Sequence, residues 1–196
     1  MNERPDEIRI SIILSTLLFC MLMWAEPCTP MAAISDHDSS EYVSVILIED
    51  REYFPAFMKA IHNATDEIVM SFFLFKTKGY TGGYTDRVLA GLVRAVKRGV
   101  KVKIILERGA EPRDSMVNAS NKETAARLAK KGIDVHFDSP NVTTHTKVVV
   151  VDRRYIFLGS HNLTNSALKY NHELSVFIDS PSMATETLRY INSLHK

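Results

Sequence analysis

Residues 145–162 read HTKVVVVDRRYIFLGSHN and carry the strongest structural signal in the chain. Residues 146–151 (TKVVVV) and 155–158 (YIFL) are two stretches rich in β-branched and aromatic residues, separated by the polar triplet at 152–154. Such runs predict two strands joined by a tight hairpin. His145 and Lys147 stand two positions apart at the start of the first strand, so we expect both side chains on the same face of the sheet.

The segments on either side of this hairpin alternate between strand-like and helix-like patterns. We predict further strands at residues 43–48, 67–75, 100–106, 133–137 and 174–178. We predict helices at residues 53–63, at 86–98, from a capping box at 120–123 to Gly132, and from an N-cap at Ser180 to Leu194. Because strands alternate with helices, the sequence predicts an α/β fold with a mixed, largely parallel sheet flanked by helices.

The composition is that of a globular protein. The 196 residues are 45% hydrophobic and 24% charged, which excludes a disordered or fibrous chain. Two cysteines are too few for a disulfide scaffold. The formal net charge of +1 lacks the basic excess of many nucleic-acid-binding domains, so the overall charge does not identify a partner.

The N-terminus carries an apolar run, ISIILSTLLFCMLMW, at residues 10–24. As a helix it would span about 22 Å, which is short of the ~30 Å hydrocarbon core of a bilayer. We therefore predict export, with residues 1–25 either a cleaved signal peptide or a retained N-terminal membrane anchor. The protein would then be periplasmic, extracellular or membrane-anchored. Residues 26–41 read as a linker, and residues 42–196 as one folded domain.

The stretch at 145–162 also fits the pattern H-x-K-x4-D-x6-G-S-x-N, which resembles the HKD signature of the phospholipase D superfamily. The matching positions are His145, Lys147, Asp152, Gly159, Ser160 and Asn162. Glu173 falls where that family has a downstream glutamate. Most of residues 42–196 resembles the single-motif branch, which contains a small bacterial periplasmic endonuclease. The resemblance implies a phospholipase D-like catalytic domain with one HKD motif per chain.

These residue types suit attack on a phosphate diester. The imidazole of His145 can attack phosphorus and form a covalent phosphohistidine, and Lys147 can stabilise charge on the non-bridging oxygens. Asn162 can donate from its amide, and Ser160 from its hydroxyl and backbone N–H. Gly159 would let the backbone approach the phosphate closely.

Two acidic residues complete the candidate catalytic set. Glu173 is expected to accept a hydrogen bond from the far nitrogen of the His145 ring and so fix its tautomer. Asp152 belongs to the motif, although its place at the end of a strand favours a role in shaping the hairpin. The sequence shows no companion Cys/His spacing or carboxylate pair for zinc, and Lys147 would repel a cation. We therefore predict a reaction without metal or other cofactor.

A single HKD motif supplies half of what the reaction needs, because cleavage requires both a nucleophile and a general acid. The family resemblance implies a twofold homodimer in which His145 of each subunit faces the same phosphate. A twofold axis brings identical surface patches together, which suits such an arrangement.

The substrate is less constrained than the chemistry. Lys76, Lys78 and Arg108 lie in loops after predicted parallel strands, where ligands bind in α/β sheets, although such cations can equally be solvated surface residues. Tyr80 or Tyr84 could stack on a base. Our first hypothesis is a relatively nonspecific endonuclease acting on DNA or RNA. The alternatives are a phospholipase D or cardiolipin-hydrolase type of lipid phosphodiesterase, which retention of residues 10–24 in a membrane would favour, and a catalytically silent nucleic-acid-binding module.

Overall fold

The computed structural model describes residues 43–78, 82–109 and 115–195. These residues lie in one compact unit, Glu41–Lys196. The predicted signal or anchor segment at 1–25, the linker at 26–41 and Tyr80 fall outside the described residues. What was expected of them stays a prediction.

Seven strands and five helices account for the regular structure of the described residues. The strands are β1 (Ser44–Glu49), β2 (Glu67–Phe72), β3 (Lys101–Leu106), β4 (Asp134–Phe137), β5 (Lys147–Val151), β6 (Tyr155–Gly159) and β7 (Leu174–Asp179). The helices are α1 (Tyr53–Asn63), α2 (Tyr84–Lys97), α3 (Ser115–Ala129), α4 (Asn165–Lys169) and α5 (Pro181–Ser193), and a 3-10 turn at Asp50–Glu52 precedes α1. The predicted elements are confirmed to within a few residues, except for the start of α3 and for α4, which was not foreseen.

The strands form one sheet in the order β1-β7-β6-β5-β2-β3-β4. The mixed α/β class is confirmed, but the sheet is less parallel than expected. Among the described strands, β2–β3 and β3–β4 are the parallel pairs, and the other four pairs are antiparallel. The tight turn between β5 and β6 makes that pair antiparallel, whereas β6 and β7 are joined by residues 160–173, which contain α4. Parallel neighbours need a helical crossover, and α2 and α3 provide it between β2 and β3 and between β3 and β4.

Each face of the sheet packs against helices. One face buries the apolar stripes of α1, α2 and the end of α3, including Phe57, Leu92 and Leu128. The other face packs against α5 through Ala184 and Ile191. Ser180 caps α5 as predicted, because its hydroxyl oxygen accepts a hydrogen bond from the N–H of Met183 at 3.2 Å.

The predicted capping box at 120–123 is wrong. These residues lie inside α3, which already includes Ser115. Asn121 is fully buried, and its side chain binds backbone groups of two loops instead of a helix end. The S-x-x-E pattern of Ser120 and Glu123 therefore occurs within a helix, where Glu123 pairs with Arg127.

Candidate active site

His145 and Lys147 lie at the edge of the sheet where β2 and β3 end. Strand β5 runs antiparallel to β2 with Lys147 opposite Phe72, so the start of β5 meets the carboxyl end of β2. The main chain before β5 is fixed as well, since the buried carboxylate of Glu107, just after β3, accepts a hydrogen bond from the N–H of Thr144. The β5–β6 hairpin therefore places both side chains at the carboxyl ends of β2 and β3, where the sequence predicted a ligand-binding site.

The imidazole and the ammonium group share one aromatic neighbour, Phe73. The ring of His145 lies 4.6 Å from that of Phe73, centroid to centroid, and Nζ of Lys147 lies 5.2 Å from the same ring. Lys147 is 7% exposed, and its Nζ donates a hydrogen bond to the backbone oxygen of His145 at 2.7 Å. His145 itself is exposed. A solvent-facing imidazole therefore stands beside an almost buried cation.

This environment favours the neutral form of His145. Partial desolvation, assisted by the positive charge of Lys147, holds the pKa of His145 below its usual value. Burial also lowers the pKa of Lys147, while the carboxylate of Glu173 opposes that shift. At neutral pH the imidazole consequently has a free lone pair, which a nucleophile requires.

The hydroxyl and the backbone N–H of Ser160, which were predicted to donate to substrate, both donate hydrogen bonds within the protein. Its hydroxyl donates to Oε2 of Glu173 and accepts from the N–H of Leu174 at 3.1 Å, and its backbone N–H donates to the oxygen of Leu174 at 3.0 Å. The expectation that these donors bind substrate stays a prediction. Ser160 holds the Glu173 carboxylate in place.

Gly159 is required by strand packing. A Cβ atom at this position would lie 2.4 Å from Cα of Ser175 in β7 and 2.5 Å from the oxygen of Leu174. Glycine at this position therefore allows β6 to lie close to the neighbouring strand, β7. This replaces the expectation of close approach to phosphate.

The Glu173 carboxylate lies beside Ser160 and Asn171 in this chain. Oε2 accepts from the Ser160 hydroxyl, and Oε1 accepts from the Asn171 amide at 3.0 Å. Among the described residues, the ring nitrogens of His145 have no hydrogen-bond partner, so the orienting role of Glu173 stays a prediction. Its negative charge opposes the lowering of the Lys147 pKa.

Asn162 keeps an amide that the protein does not use. Its Oδ1 is buried without a hydrogen-bond partner among the described residues. The next residue, Leu163, pairs with the loop after β2, since its N–H donates to Leu74 at 3.0 Å and its oxygen accepts from Lys76 at 2.9 Å. This pairing places Asn162 next to the loop that carries Phe73, and its role toward substrate stays a prediction.

The three predicted substrate-binding cations are exposed at the same edge of the sheet. Lys76 and Lys78 follow β2, and Arg108 follows β3 with its backbone N–H donating to Oδ1 of Asp138 at 2.7 Å. Their placement agrees with the sequence, and their role in binding stays a prediction. Tyr84 packs edge-on against Phe54 at 4.5 Å, so the structure gives it a place in the fold.

Asp152 lies at the opposite end of β5, and its inclusion among the catalytic residues is corrected. Its carboxylate accepts hydrogen bonds from the backbone N–H groups of Thr65, Asp66 and Glu67 and from the Thr65 hydroxyl, at 2.9 to 3.2 Å. At about 3.4 Å per residue the strand separates it from His145 by roughly 20 Å. Asp152 fixes the turn before β2 and shapes the hairpin, as the alternative interpretation had it.

Three residues outside the predicted site set support the site. Asn121 donates to the oxygens of Phe73 and Glu107 and accepts from the N–H of Phe75, which ties together the loops after β2 and β3.

Asp50 and His161 bind the segments around Asn162 and Glu173. His161 is 1% exposed. The one available signal was its position between two motif residues.

Neither a metal centre nor a membrane span is formed by the described residues. In residues 43–78, 82–109 and 115–195, no group of three or more His, Cys, Asp or Glu side chains could hold a metal ion. No helix in those ranges is long and apolar enough to cross a bilayer. The metal-free reaction and the role of residues 10–24 both stay predictions.

Comparisons with known proteins agree with this geometry. The family described as "Cardiolipin synthase, PLD-like domain" matches residues 57–195. The chain is 32% identical over 109 residues to a phospholipase D of Rickettsia felis, covering 55% of this chain and 50% of that protein. It is 31% identical over 130 residues to cardiolipin synthase A of Pseudomonas fluorescens, covering 66% and 25% respectively. The chain thus spans half or less of the length of these relatives.

A solved structure gives wider coverage. Nuc from Salmonella typhimurium, a phospholipase D family member, matches with a TM-score of 0.64 at 28% identity, covering 78% of this chain and 94% of Nuc. The family match contains His145, Lys147, Asn162 and Glu173. The chain belongs to the phospholipase D superfamily.

Proposed function

We propose that the protein is a phosphodiesterase in which His145 is the covalent nucleophile, and that its main substrate is nucleic acid. The observation that carries this proposal is the exposed, neutral imidazole of His145 beside the almost buried ammonium of Lys147. The family supplies the reaction class, and the geometry supplies a nucleophile and a cation at one edge of the sheet.

The proposed reaction has two displacements at phosphorus. A ring nitrogen of His145 forms a bond to phosphorus as the ester P–O bond breaks, and the leaving oxygen takes a proton from a general acid. Water then attacks phosphorus, the P–N bond breaks, and the water proton passes to the group that acted as acid. Lys147 and the free amide of Asn162 bind the non-bridging oxygens in both steps.

The general acid would come from a second copy of the chain. His161 is buried with both ring nitrogens hydrogen-bonded, and Nδ1 of His172 pairs with Oδ2 of Asp50, so the proposal assigns proton transfer to His145. A twofold dimer places His145 of the partner subunit at the same phosphate. One His145 then attacks while the other protonates the leaving oxygen.

We take as the contact surface of this dimer an exposed apolar patch at the same end of the sheet, on the face opposite to that of Lys147. The strand register pairs Val176 of β7 with Leu47 of β1 on one side and with Leu158 of β6 on the other. The three side chains therefore lie on the face of the sheet that α5 covers farther along the strands. We define the open apolar face as Val45, Leu47, Leu158 and Leu174, which are 57%, 60%, 46% and 53% exposed. Leu158 and Leu174 adjoin Gly159 and Glu173 in sequence. A contiguous apolar patch of this kind is typical of a protein interface.

The dimer is tested by mixing subunits. In an equal mixture of wild-type and His145→Asn chains that have exchanged partners, a shared site predicts about one quarter of the all-wild-type activity, whereas independent chains give about one half. The variant Leu158→Glu should sediment as a monomer and lose activity. Full activity in monomeric Leu158→Glu would contradict the shared site.

Nucleic acid is favoured by the cations and by the family branch. Lys76, Lys78 and Arg108 stand exposed around the site, where they can track a phosphate backbone. The single-motif resemblance points to the same substrate class. A lipid diester is the second candidate, because the relatives with 31–32% identity are a phospholipase D and a cardiolipin synthase.

Substrate class is tested with the full-length chain in EDTA. Wild type, His145→Asn and the matched control His62→Asn, an exposed histidine at the end of α1, are offered single-stranded DNA, duplex DNA, RNA and anionic phospholipid vesicles. We expect wild type and His62→Asn to cleave nucleic acid and His145→Asn to be inactive. Headgroup release with intact nucleic acid would favour the lipid enzyme, and binding without turnover would favour the silent module.

A further inference from the structure

Asp50, which lies outside the HKD motif, directs every backbone and side-chain polar group that it has toward the active-site end of β6 and β7. Its N–H donates to the oxygen of Glu173 at 2.9 Å, and its Oδ1 accepts from the N–H of Glu173 at 2.8 Å. Its Oδ2 lies 3.1 Å from Nδ1 of His172, and its backbone oxygen lies 2.9 Å from Nε2 of His161. One residue at the end of an edge strand therefore holds three residues near the site.

The backbone of Asp50 adopts a conformation that few residue types tolerate. Its φ is +45°, in the left-handed region where Asn, Asp and Gly are favoured. This conformation turns the chain from β1 into the 3-10 turn and lets both the N–H and the carboxylate face Glu173. The position thus needs a left-handed residue and a side-chain acceptor together.

The contact with His161 defines the tautomer of that buried ring. The backbone oxygen of Asp50 can only accept, so Nε2 of His161 carries the hydrogen. Nδ1 must then accept from the hydroxyl of Ser175, 2.8 Å away. Burial lowers the pKa of His161, in keeping with a neutral ring, and the ring stacks on Tyr53 at 4.3 Å. The main chain just before Asn162 is thereby fixed.

We propose that Asp50 is a positioning residue, which clamps the Glu173 main chain so that the Glu173 carboxylate stays beside Ser160 and Asn171, at the end of the sheet that carries Lys147. The inference rests on the proposed function. Two hydrogen bonds grip the Glu173 peptide from both sides, and the carboxylate is then held by Ser160 and Asn171. Without this clamp the segment at 172–173 loses its contacts with the 3-10 turn, and the negative charge moves away from the reacting groups.

Three substitutions separate the clamp from the backbone requirement. Asp50→Gly keeps the left-handed conformation but removes the carboxylate, and Asp50→Asn keeps both the conformation and an acceptor for the Glu173 N–H. Glu52→Gln is the matched control, because it removes another carboxylate of the same turn that makes no hydrogen bond among the described residues. We expect kcat of Asp50→Gly to fall about 10- to 100-fold with little change in KM, while Asp50→Asn and Glu52→Gln stay close to wild type.

Amide hydrogen exchange of Glu173, followed by NMR, tests the clamp without using activity. We expect the Glu173 amide to be protected in wild type and Asp50→Asn, and to exchange faster in Asp50→Gly at an unchanged melting temperature. Wild-type kcat in Asp50→Gly, or unchanged Glu173 protection, would overturn the proposal. If wild type cleaves no diester, the proposed function fails, and the exchange result still decides whether Asp50 holds Glu173.

Discussion

The two ends of β5 differ in what their polar side chains contact, although both belong to one sequence motif. At the start of the strand, His145 is exposed and its ring nitrogens have no hydrogen-bond partner among the described residues. At the other end, the Asp152 carboxylate accepts hydrogen bonds from Thr65, Asp66 and Glu67. A polar group whose hydrogen bonds are all made within the protein stabilises the fold. A polar group without such partners, at the end of a strand, can act on a ligand. The contacts of each motif residue therefore indicate its role.

The sharpest difference between the two ends should appear in catalysis. Replacing the nucleophile, as in His145→Asn, removes the covalent step, and we expect kcat/KM to fall about 10⁴-fold or more. The melting temperature should barely change, because the side chain is exposed. Steady-state kinetics and thermal unfolding of the same preparations check this, and residual activity within tenfold of wild type would contradict it.

Lys147 should give the next largest effect. Lys147→Met keeps the length of the buried stem but removes the charge that stabilises the non-bridging oxygens, and we expect kcat to fall about 10²- to 10³-fold. The matched control is Lys97→Met, on an exposed part of α2. Equal losses in both variants would show that the charge of Lys147 has no special role.

Asp152 should affect stability more than turnover. Asp152→Ala leaves three backbone N–H groups without their acceptor, and it places alanine at φ +51°. We expect a loss of about 2–4 kcal/mol in the free energy of unfolding, with kcat per folded molecule close to wild type. Asp152→Asn, which tolerates the left-handed conformation, should lose less. Urea unfolding measures both, and a stable but inactive Asp152→Ala would reverse our assignment.

The same carboxylate should make stability depend on acid. Burial acts to raise the pKa of Asp152, but the hydrogen bonds from Asp66, Thr65 and Glu67 outweigh it and hold the pKa below its usual value. A carboxyl group with a lowered folded-state pKa stabilises the fold above its unfolded pKa of about 3.9, and this contribution is lost as the pH falls further. The difference in unfolding free energy between wild type and Asp152→Asn should therefore shrink below about pH 4. A constant difference from pH 7 to pH 3 would contradict this.

Local sequence patterns predicted the placement of His145 and Lys147 at the start of β5 better than they predicted the contacts of the residues around them. Alternation along a strand placed His145 and Lys147 together, and their shared contact with Phe73 confirms that prediction. The roles of Gly159 and Ser160 could not be predicted in this way. Both depend on the pairing of β6 with β7, which brings Leu174 and Ser175 against them.

The residues that sequence reasoning missed have partners far away along the chain. Asn121 binds Phe73 and Phe75, which precede it by more than forty residues, and Asp50 binds Glu173, which is 123 residues away. No pattern within a short window reports such contacts.

The covalent bond between His145 and phosphorus is the central claim, and trapping it is the most direct test. Full-length wild type and His145→Asn are mixed in excess with a single-stranded DNA oligonucleotide labelled at both ends, quenched in alkaline denaturant within one turnover, and analysed by peptide mass spectrometry. We predict a transient nucleotide adduct on the His145 peptide of wild type and none in the variant. Cleavage by wild type without an adduct, or an adduct on another residue, would contradict the account.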